Sequence, residues 1–199
     1  MTSEPEDAED INSDKPYIKC EKGDPRFQQG VGVDLDVDQS TVSRTLATVS
    51  KAIYLKRNNW IKFPNTNELL RVAINQGARG ERMPRVIIGV IDGTHVRITK
   101  PSIHADKYVN RKWVYSINVQ ATCNSREMFT SVDASWPGSV HDSRIWRNSI
   151  VHEIMYNNVH EAALLGDEGY GVAPWLLTPY KNPTTPMQEN YDLIHAKER

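Results

Sequence analysis

The spacing of apolar positions predicts a long amphipathic helix in the first third of the chain. Val42, Leu46, Val49 and Ile53 recur at intervals of four, three and four residues, which is one face of a helix. Asp38 is a residue type that caps helix starts, so the helix is predicted to begin at the next position. A short apolar segment over residues 31–35 precedes it.

From residue 86 onward, apolar runs and alternating stretches predict mainly strands. The predicted strands are residues 86–98, 114–123, 128–134 and 162–165. A helix over residues 140–155 lies between the third and fourth strands, and a last helical segment covers residues 187–199. The first apolar run is predicted to end at Asp92-Gly93, with the chain continuing extended to Ile98, and the fourth strand ends at Asp167. An Asp-Gly pair alone also suits a hairpin turn. The second aspartate in the same kind of position favours a shared site.

Charge is distributed unevenly along the chain. Residues 1–38 hold eleven acidic and four basic side chains, a local charge of −7. Residues 39–199 hold fourteen acidic and twenty basic side chains, a local charge of +6. Residues 1–27 are rich in Glu, Asp, Ser and Pro and predict a disordered acidic tail. The basic remainder is compatible with a polyanion such as DNA, although on charge alone an ordinary solvated surface is the simpler explanation.

Two other classes of protein are disfavoured. No apolar run approaches the ~20 residues that span a bilayer, so no membrane partner is expected. The two cysteines, Cys20 and Cys123, form no CxxC pair, which favours a reducing compartment and disfavours a thiolate zinc site.

Residues 28–83 predict a helical, partial DNA-binding segment. The apolar segment and the helix after Asp38 resemble the last two helices of a helix-turn-helix unit. The start of the second helix carries polar side chains suited to phosphate and base-edge contacts, which are Gln39, Ser40, Thr41, Ser43 and Arg44. An amphipathic packing helix with a polar start explains the same pattern.

A basic loop over residues 100–112 is a second candidate DNA contact. Lys107, Arg111 and Lys112 lie in it, with Tyr108 and Trp113 close in sequence. Cations with aromatic side chains among them can hold a nucleic-acid backbone. A charged surface loop is an equally good explanation.

The order of three strands, helix, strand and helix is that of a ribonuclease H-like α/β fold. In that fold the first and fourth strands are neighbours, so Asp92 and Asp167 are predicted to converge. Phosphodiester cleavage with two divalent ions needs hard oxygen ligands of this kind. The implied cofactor is Mg²⁺ or Mn²⁺.

Several ordered motifs then resemble one family, the Harbinger (PIF/Harbinger) transposase-derived nucleases of the DDE superfamily endonucleases. The resemblance runs over about residues 31–199. Its motifs are QSTVSR (39–44), IDGTHV (91–96), YVNRK (108–112), SINVQ (116–120), WPGSVHDSR (136–144) and LGDEGY (165–170). It implies a metal-dependent DNA endonuclease that acts in the nucleus, or in nucleus and cytoplasm, and that works with a separate DNA-binding partner protein.

The resemblance assigns site residues one by one. Asp92 matches the family's first catalytic aspartate. Asp167 is the choice for the second because it ends the fourth strand, and Asp142 and Asp133 remain alternatives as metal ligands. The resemblance also places further side chains along the site, which are His95, His141 and Arg144. A structural, hydrogen-bonded role explains each histidine as well.

The family's third carboxylate, a glutamate, falls beyond Arg199 in this alignment. The nuclease domain, residues 84–199, is therefore expected to be incomplete at its C-terminus. The helical segment, residues 28–83, is expected to be incomplete at its N-terminus. Two further hypotheses follow. One is a domesticated protein that binds DNA or a partner without catalysis, and the other is a non-functional fragment.

Overall fold

The computed structural model describes residues 25–65, 67–68, 71, 86–158 and 162–199. The chain divides into two compact units, Met1–Tyr54 and Leu55–Arg199. The domain boundary predicted near residue 83 lies outside the described residues. None of the helices in the described part of the chain is both long and apolar enough to cross a bilayer.

The first unit contains two helices joined by four residues. Helix α1 spans Pro25–Asp34 and helix α2 spans Gln39–Leu55. The α2 helix begins where the sequence predicts, and the carbonyl of Asp38 accepts hydrogen bonds from the amides of Thr41 (2.8 Å) and Val42 (3.2 Å). Residues 25–27, which we expected in the disordered tail, are the first turn of α1, and residues 1–24 lie outside the described residues.

The apolar face of α2 is buried only near its N-terminal end. Val42 is 8% exposed, whereas Leu46, Val49 and Ile53 are 44–58% exposed. The periodicity therefore predicted the helix correctly, but contacts among the described residues cover only part of its apolar face.

The second unit contains a five-stranded mixed sheet in the order β3-β2-β1-β4-β5. The strands are β1 (Val86–Arg97), β2 (Ser116–Cys123), β3 (Phe129–Pro137), β4 (Ala162–Leu165) and β5 (Leu176–Leu177). Strands β1, β2 and β3 pair antiparallel, and β4 pairs parallel with both β1 and β5. This confirms the predicted ribonuclease H-like α/β fold.

Three helices complete this unit: α3 (Asp142–Arg147), α4 (Ile150–Asn158) and α5 (Pro186–Glu198). The prediction of a single helix over residues 140–155 was wrong, because polar side chains end one helix and start the next. The side-chain amide of Asn148 donates to the Arg144 carbonyl (2.7 Å), and the Ser149 hydroxyl accepts from the His152 amide (3.1 Å).

Two short features follow β4 in the chain. Strand β5 has only two residues, so its alternation was too short to predict a strand. Helix α5 begins with a capping box formed by Thr185 and Gln188.

The core is densest around β4. All four of its residues are at most 1% exposed, as expected for a central strand covered on both faces. Ile91, Trp146, Met155 and Leu176 belong to the same core and are nearly or fully buried. Each such side chain contributes about 1.5–3 kcal/mol of burial free energy. The first half of β1, up to Ile91, and all of β4 are therefore anchored in well-packed structure.

Candidate active site

The register of the two central strands brings two aspartates to the same edge of the sheet. Val90 pairs with Leu165 in the parallel β1–β4 ladder. Asp92 and Asp167 each lie two residues further along. Gly166 packs close to Ile91, because a Cβ atom at Gly166 would lie 3.3 Å from Ile91 Cγ2. Asp92 directly follows Ile91 in the chain, and Asp167 directly follows Gly166. Adjacent strands lie about 4.8 Å apart, so the two carboxylates are neighbours.

Asp92 is the more solvated of the two carboxylates. Its side chain is 62% exposed, and its Oδ1 accepts a hydrogen bond from the Gly93 amide at 2.8 Å. The same oxygen lies 3.0 Å from Nη2 of Arg199, just past the end of α5. An ion pair this exposed is partly screened by water, so it holds the carboxylate only weakly.

Asp167 is held by its own turn. Its Oδ1 accepts from the Gly169 amide at 2.9 Å, and its carbonyl accepts from the Tyr170 amide at 3.2 Å. The side chain is half-buried. The turn after β4 therefore orients both this carboxylate and the following tyrosine.

Asp142 approaches the same edge from the start of α3. Its Oδ1 accepts from Asn118 Nδ2 at 2.7 Å, and the same amide donates to the Val140 carbonyl at 3.0 Å. A Cβ at Gly93 would lie only 2.6 Å from this Oδ1. Gly93 thus permits Asp142 to pack closely against β1 at the position that follows Asp92.

The Tyr170 hydroxyl lies among these carboxylates. The residue is 1% exposed, and its hydroxyl oxygen has no hydrogen-bond partner among the described residues. Burial raises the pKa of this hydroxyl well above its ordinary range. The charges of Asp142, Asp167 and Asp92 raise this pKa further, and Arg199 opposes them. The hydroxyl is therefore a neutral donor facing three acidic groups.

Sequence reasoning did not select Tyr170 or Asn118 as site residues. Tyr170 was visible only as the end of the LGDEGY motif, and Asn118 only as part of the SINVQ motif. Their involvement depends on which neighbours the fold supplies.

Asp133 lies apart from this group, on β3. It pairs with Gln120, and Gln120 in turn pairs with Gly93, so two strand spacings separate it from β1. Its carboxylate accepts from the Ser135 amide (3.0 Å) and hydroxyl, and from Trp136 Nε1 (2.9 Å). Asp133 therefore organises the irregular end of β3.

The structure also places the predicted lining residues. His95 Nδ1 lies 3.1 Å from the Ser116 hydroxyl on β2. His141 is the N-cap of α3, where its side chain accepts from the Ser143 amide at 3.3 Å. Arg144 is an exposed residue of α3. His141 thus has a capping role, which the hydrogen-bonding explanation of this histidine anticipated.

The predicted DNA contacts fall in both units. On α2, Arg44 bonds along its own helix, to the Ser40 carbonyl (3.3 Å) and the Thr41 hydroxyl (3.4 Å). The other two predicted DNA contacts on α2, Gln39 and Ser43, lie in the first two turns of that helix. In the second unit, Lys107 lies in a one-turn 3₁₀ helix, Ala105–Tyr108, while Arg111 and Lys112 are exposed at the tip of a hairpin.

The donor set at the sheet edge fits a divalent cation. Within the described residues, no group of three or more His, Cys, Asp or Glu side chains is arranged to hold a metal ion. Mg²⁺ is commonly bound by one or two carboxylates while it keeps several water molecules. Asp92, within β1, and Asp167, two residues past the end of β4, would supply two such ligands.

Comparisons with known proteins identify the family. The family model described as "DDE superfamily endonuclease" matches residues 91–199. Two relatives, both named "Putative nuclease HARBI1", are the cattle protein (Bos taurus, 32% identical) and the human protein (Homo sapiens, 30% identical). Each match covers 171 residues, 85% of this chain and 49% of the relative.

A plant relative, "Protein ALP1-like" of Arabidopsis thaliana, is 23% identical over 187 residues, 84% of this chain and 44% of its own length. No solved structure matches the chain. The chain spans about half the length of the relatives it matches. Since the family model covers more than half of its residues, the chain belongs to the DDE superfamily endonucleases and is a homologue of the Harbinger transposase-derived nucleases.

Proposed function

We propose that this protein is a divalent-metal-dependent DNA endonuclease that hydrolyses phosphodiester bonds at the Asp92–Asp167 edge of the sheet. The observation that carries the proposal is the β1–β4 register, whose last pair is Val90 with Leu165, so each aspartate follows that pair by two residues. The family supports a nuclease, and the donor chemistry of two carboxylates supports Mg²⁺ or Mn²⁺.

The chain's own residues divide the work at this edge. Asp92 and Asp167 would hold the cation, which when bound activates water for attack and neutralises charge on the phosphate. Asn118 orients the Asp142 carboxylate beside Gly93. Burial and the neighbouring charges keep the Tyr170 hydroxyl protonated, so it is a neutral donor near these acidic groups.

Basic side chains would hold the DNA backbone. Lys107, Arg111 and Lys112 are exposed on the segment between β1 and β2, and Arg44 is exposed on α2. Phosphate contacts of this kind carry most non-specific affinity and weaken as salt rises. We further infer that the protein works in the nucleus, or in nucleus and cytoplasm, with a separate DNA-binding partner protein, as the family resemblance suggests.

Cleavage of supercoiled plasmid tests the proposal. We expect nicking in Mg²⁺ or Mn²⁺, none in EDTA, and a loss of at least about 100-fold in Asp92→Asn and Asp167→Asn, because each change removes a charged metal ligand. Glu153→Gln, which neutralises an exposed carboxylate on α4, is the matched control and retains activity. Undiminished nicking by Asp92→Asn contradicts the assignment.

A second candidate is DNA binding without cleavage. The contact of Arg199 with Asp92 favours it, since a guanidinium already neutralises one of the two proposed metal ligands. Salt-dependent DNA binding by the wild-type chain with no nicking in Mn²⁺ would support this candidate over the first. In that case Arg44→Ala is expected to weaken binding.

A further inference from the structure

The hairpin tip between β1 and β2 has a fixed backbone. Val109 and Tyr115 form an isolated antiparallel bridge, and the Asn110 amide donates to the Val114 carbonyl at 3.0 Å. The Trp113 amide donates to the Asn110 carbonyl at 2.9 Å. The Asn110 side chain accepts from the amides of Lys112 (2.9 Å) and Val114 (3.1 Å). The position of each tip residue is therefore determined by hydrogen bonds.

Trp113 occupies the least suitable position of this turn for a bulky residue. Its φ is 59°, in the left-handed region where Gly or Asn is usual at this place in a hairpin. Its side chain is 87% exposed, the largest exposed fraction among the large apolar residues that the structure describes. Backbone strain and exposure of the indole both oppose folding. Features of that kind point to function rather than to packing.

The surroundings of Trp113 are cationic and are tied to the site. Arg111 and Lys112, its neighbours in the turn, are both exposed. The base of the hairpin contacts the segment that leads to α3, because the Ser139 amide donates to the Lys107 carbonyl at 3.2 Å. That segment continues to Asp142, which lies beside Gly93. The hairpin is thus anchored next to the proposed cleavage edge.

A second hairpin has the same hydrogen bonds and a different residue at its strained position. The Glu127 amide donates to the Asn124 carbonyl at 2.9 Å, and the Asn124 side chain accepts from the amides of Arg126 (2.9 Å) and Met128 (3.2 Å). Glu127 has a φ of 60°. This turn geometry therefore does not require an aromatic residue, and Glu127 provides an internal control.

We propose that Trp113 stacks on an unpaired base of the DNA substrate, while Arg111 and Lys112 hold the adjacent phosphates. The inference rests on the proposed DNA endonuclease function and specifies its substrate as DNA with a base outside the duplex stack. A base inside a duplex has both faces covered by neighbouring bases. An indole can stack only where a face is free, as at a bulge, flap or end. The cations on both preceding residues favour a nucleic acid over an apolar protein surface.

Binding measured in EDTA separates this inference from cleavage. Two labelled duplexes of identical length are compared by fluorescence anisotropy, one fully paired and one with a single bulged 2-aminopurine. We expect the wild-type chain to prefer the bulged duplex and to quench its 2-aminopurine. Trp113→Ala should lose about 10-fold or more in affinity for the bulged duplex, the range found for loss of one stacked base, and should bind the paired duplex nearly as before.

Three further variants sharpen the result. Trp113→Phe should keep part of the preference and of the quenching, and Glu127→Ala should keep both. Lys112→Ala should weaken binding to both duplexes and lower the salt slope by about one. Thermal unfolding checks that each variant folds, which is expected because these side chains are exposed.

The possible failures are distinguishable. If the chain binds both duplexes equally and Trp113→Ala changes nothing, this inference is overturned while the DNA endonuclease proposal stands. If the chain binds neither duplex at any salt concentration, both are overturned.

Discussion

Asp92 and Asp167 hold equivalent positions on neighbouring strands, yet they are fixed in different ways. Asp167 is half-buried and accepts a hydrogen bond from Gly169 within its own turn. Asp92 is 62% exposed, and its cationic partner, Arg199, is more than one hundred residues away in the chain. One carboxylate is therefore part of the local structure, and the other is free to exchange its partner. A site of this kind would offer a metal ion one rigid and one adaptable ligand.

The largest difference between the two aspartates should appear in stability. Asp167→Ala removes the acceptor for the Gly169 amide, so we expect the free energy of unfolding to fall by about 1 kcal/mol. Asp92→Ala removes only exposed contacts and should cost less than about 0.5 kcal/mol. Urea denaturation of both variants beside the wild type measures this, and equal losses would contradict the distinction.

A smaller effect is expected for the partner of Asp92. Arg199→Gln removes a guanidinium that competes for Oδ1, so Mn²⁺ affinity without DNA should rise about 2- to 5-fold, the range of an exposed ion pair. Electron paramagnetic resonance of free Mn²⁺ gives this affinity. Arg126→Gln, at an exposed hairpin position, is the matched control. Weaker Mn²⁺ binding by Arg199→Gln would show that the arginine assists the site.

The smallest expected effect is a change in the free energy of unfolding that depends on the Tyr170 hydroxyl, which lies near both aspartates. This effect appears only at alkaline pH. The folded state raises the pKa of Tyr170 above its ordinary value of 10.0, so the unfolded state loses this proton first. The protonated Tyr170 hydroxyl therefore contributes to the free energy of unfolding below pH 10, and this contribution is lost as the pH rises further.

Tyr170→Phe should therefore gain stability relative to the wild type between pH 9 and pH 11, as measured by urea denaturation. Tyr156→Phe, at an exposed position, controls for general effects of alkali. A constant difference between Tyr170→Phe and the wild type across this pH range would show that the hydroxyl does not resist ionisation.

Much of the fold could be predicted because it depends on local patterns. The alternation of β2 and the β-branched run of β1 were sufficient to predict strands, and the apolar spacing after Asp38 predicted α2. The strand order then indicated which strands are neighbours. The helix break at Asn148-Ser149 was missed because apolar periodicity continues across it, while side-chain caps decide it.

The candidate site could be predicted only in part. Two aspartates that each follow an apolar run were visible as a repeated pattern, although β1 continues past Asp92 to Arg97. The Asp167 turn could be inferred from the nearby glycine. The approach of Asp142 to Gly93 was not visible, because it depends on the bond from Asn118 across β2. The burial of the Tyr170 hydroxyl and the left-handed backbone of Trp113 likewise have no signature in residue spacing.

The sequence by itself determined the elements, their order and the residue types available at each strand end, because these depend on interactions between residues close in the chain. Only the tertiary structure decided which side chains meet: Arg199 with Asp92, Asn118 with Asp142, and Tyr170 with three carboxylates. Except for Tyr170 and Asp167, which share one turn, those pairings join residues 24 to 107 positions apart. They form because packing of the sheet and helices brings distant segments together, and no local pattern records it.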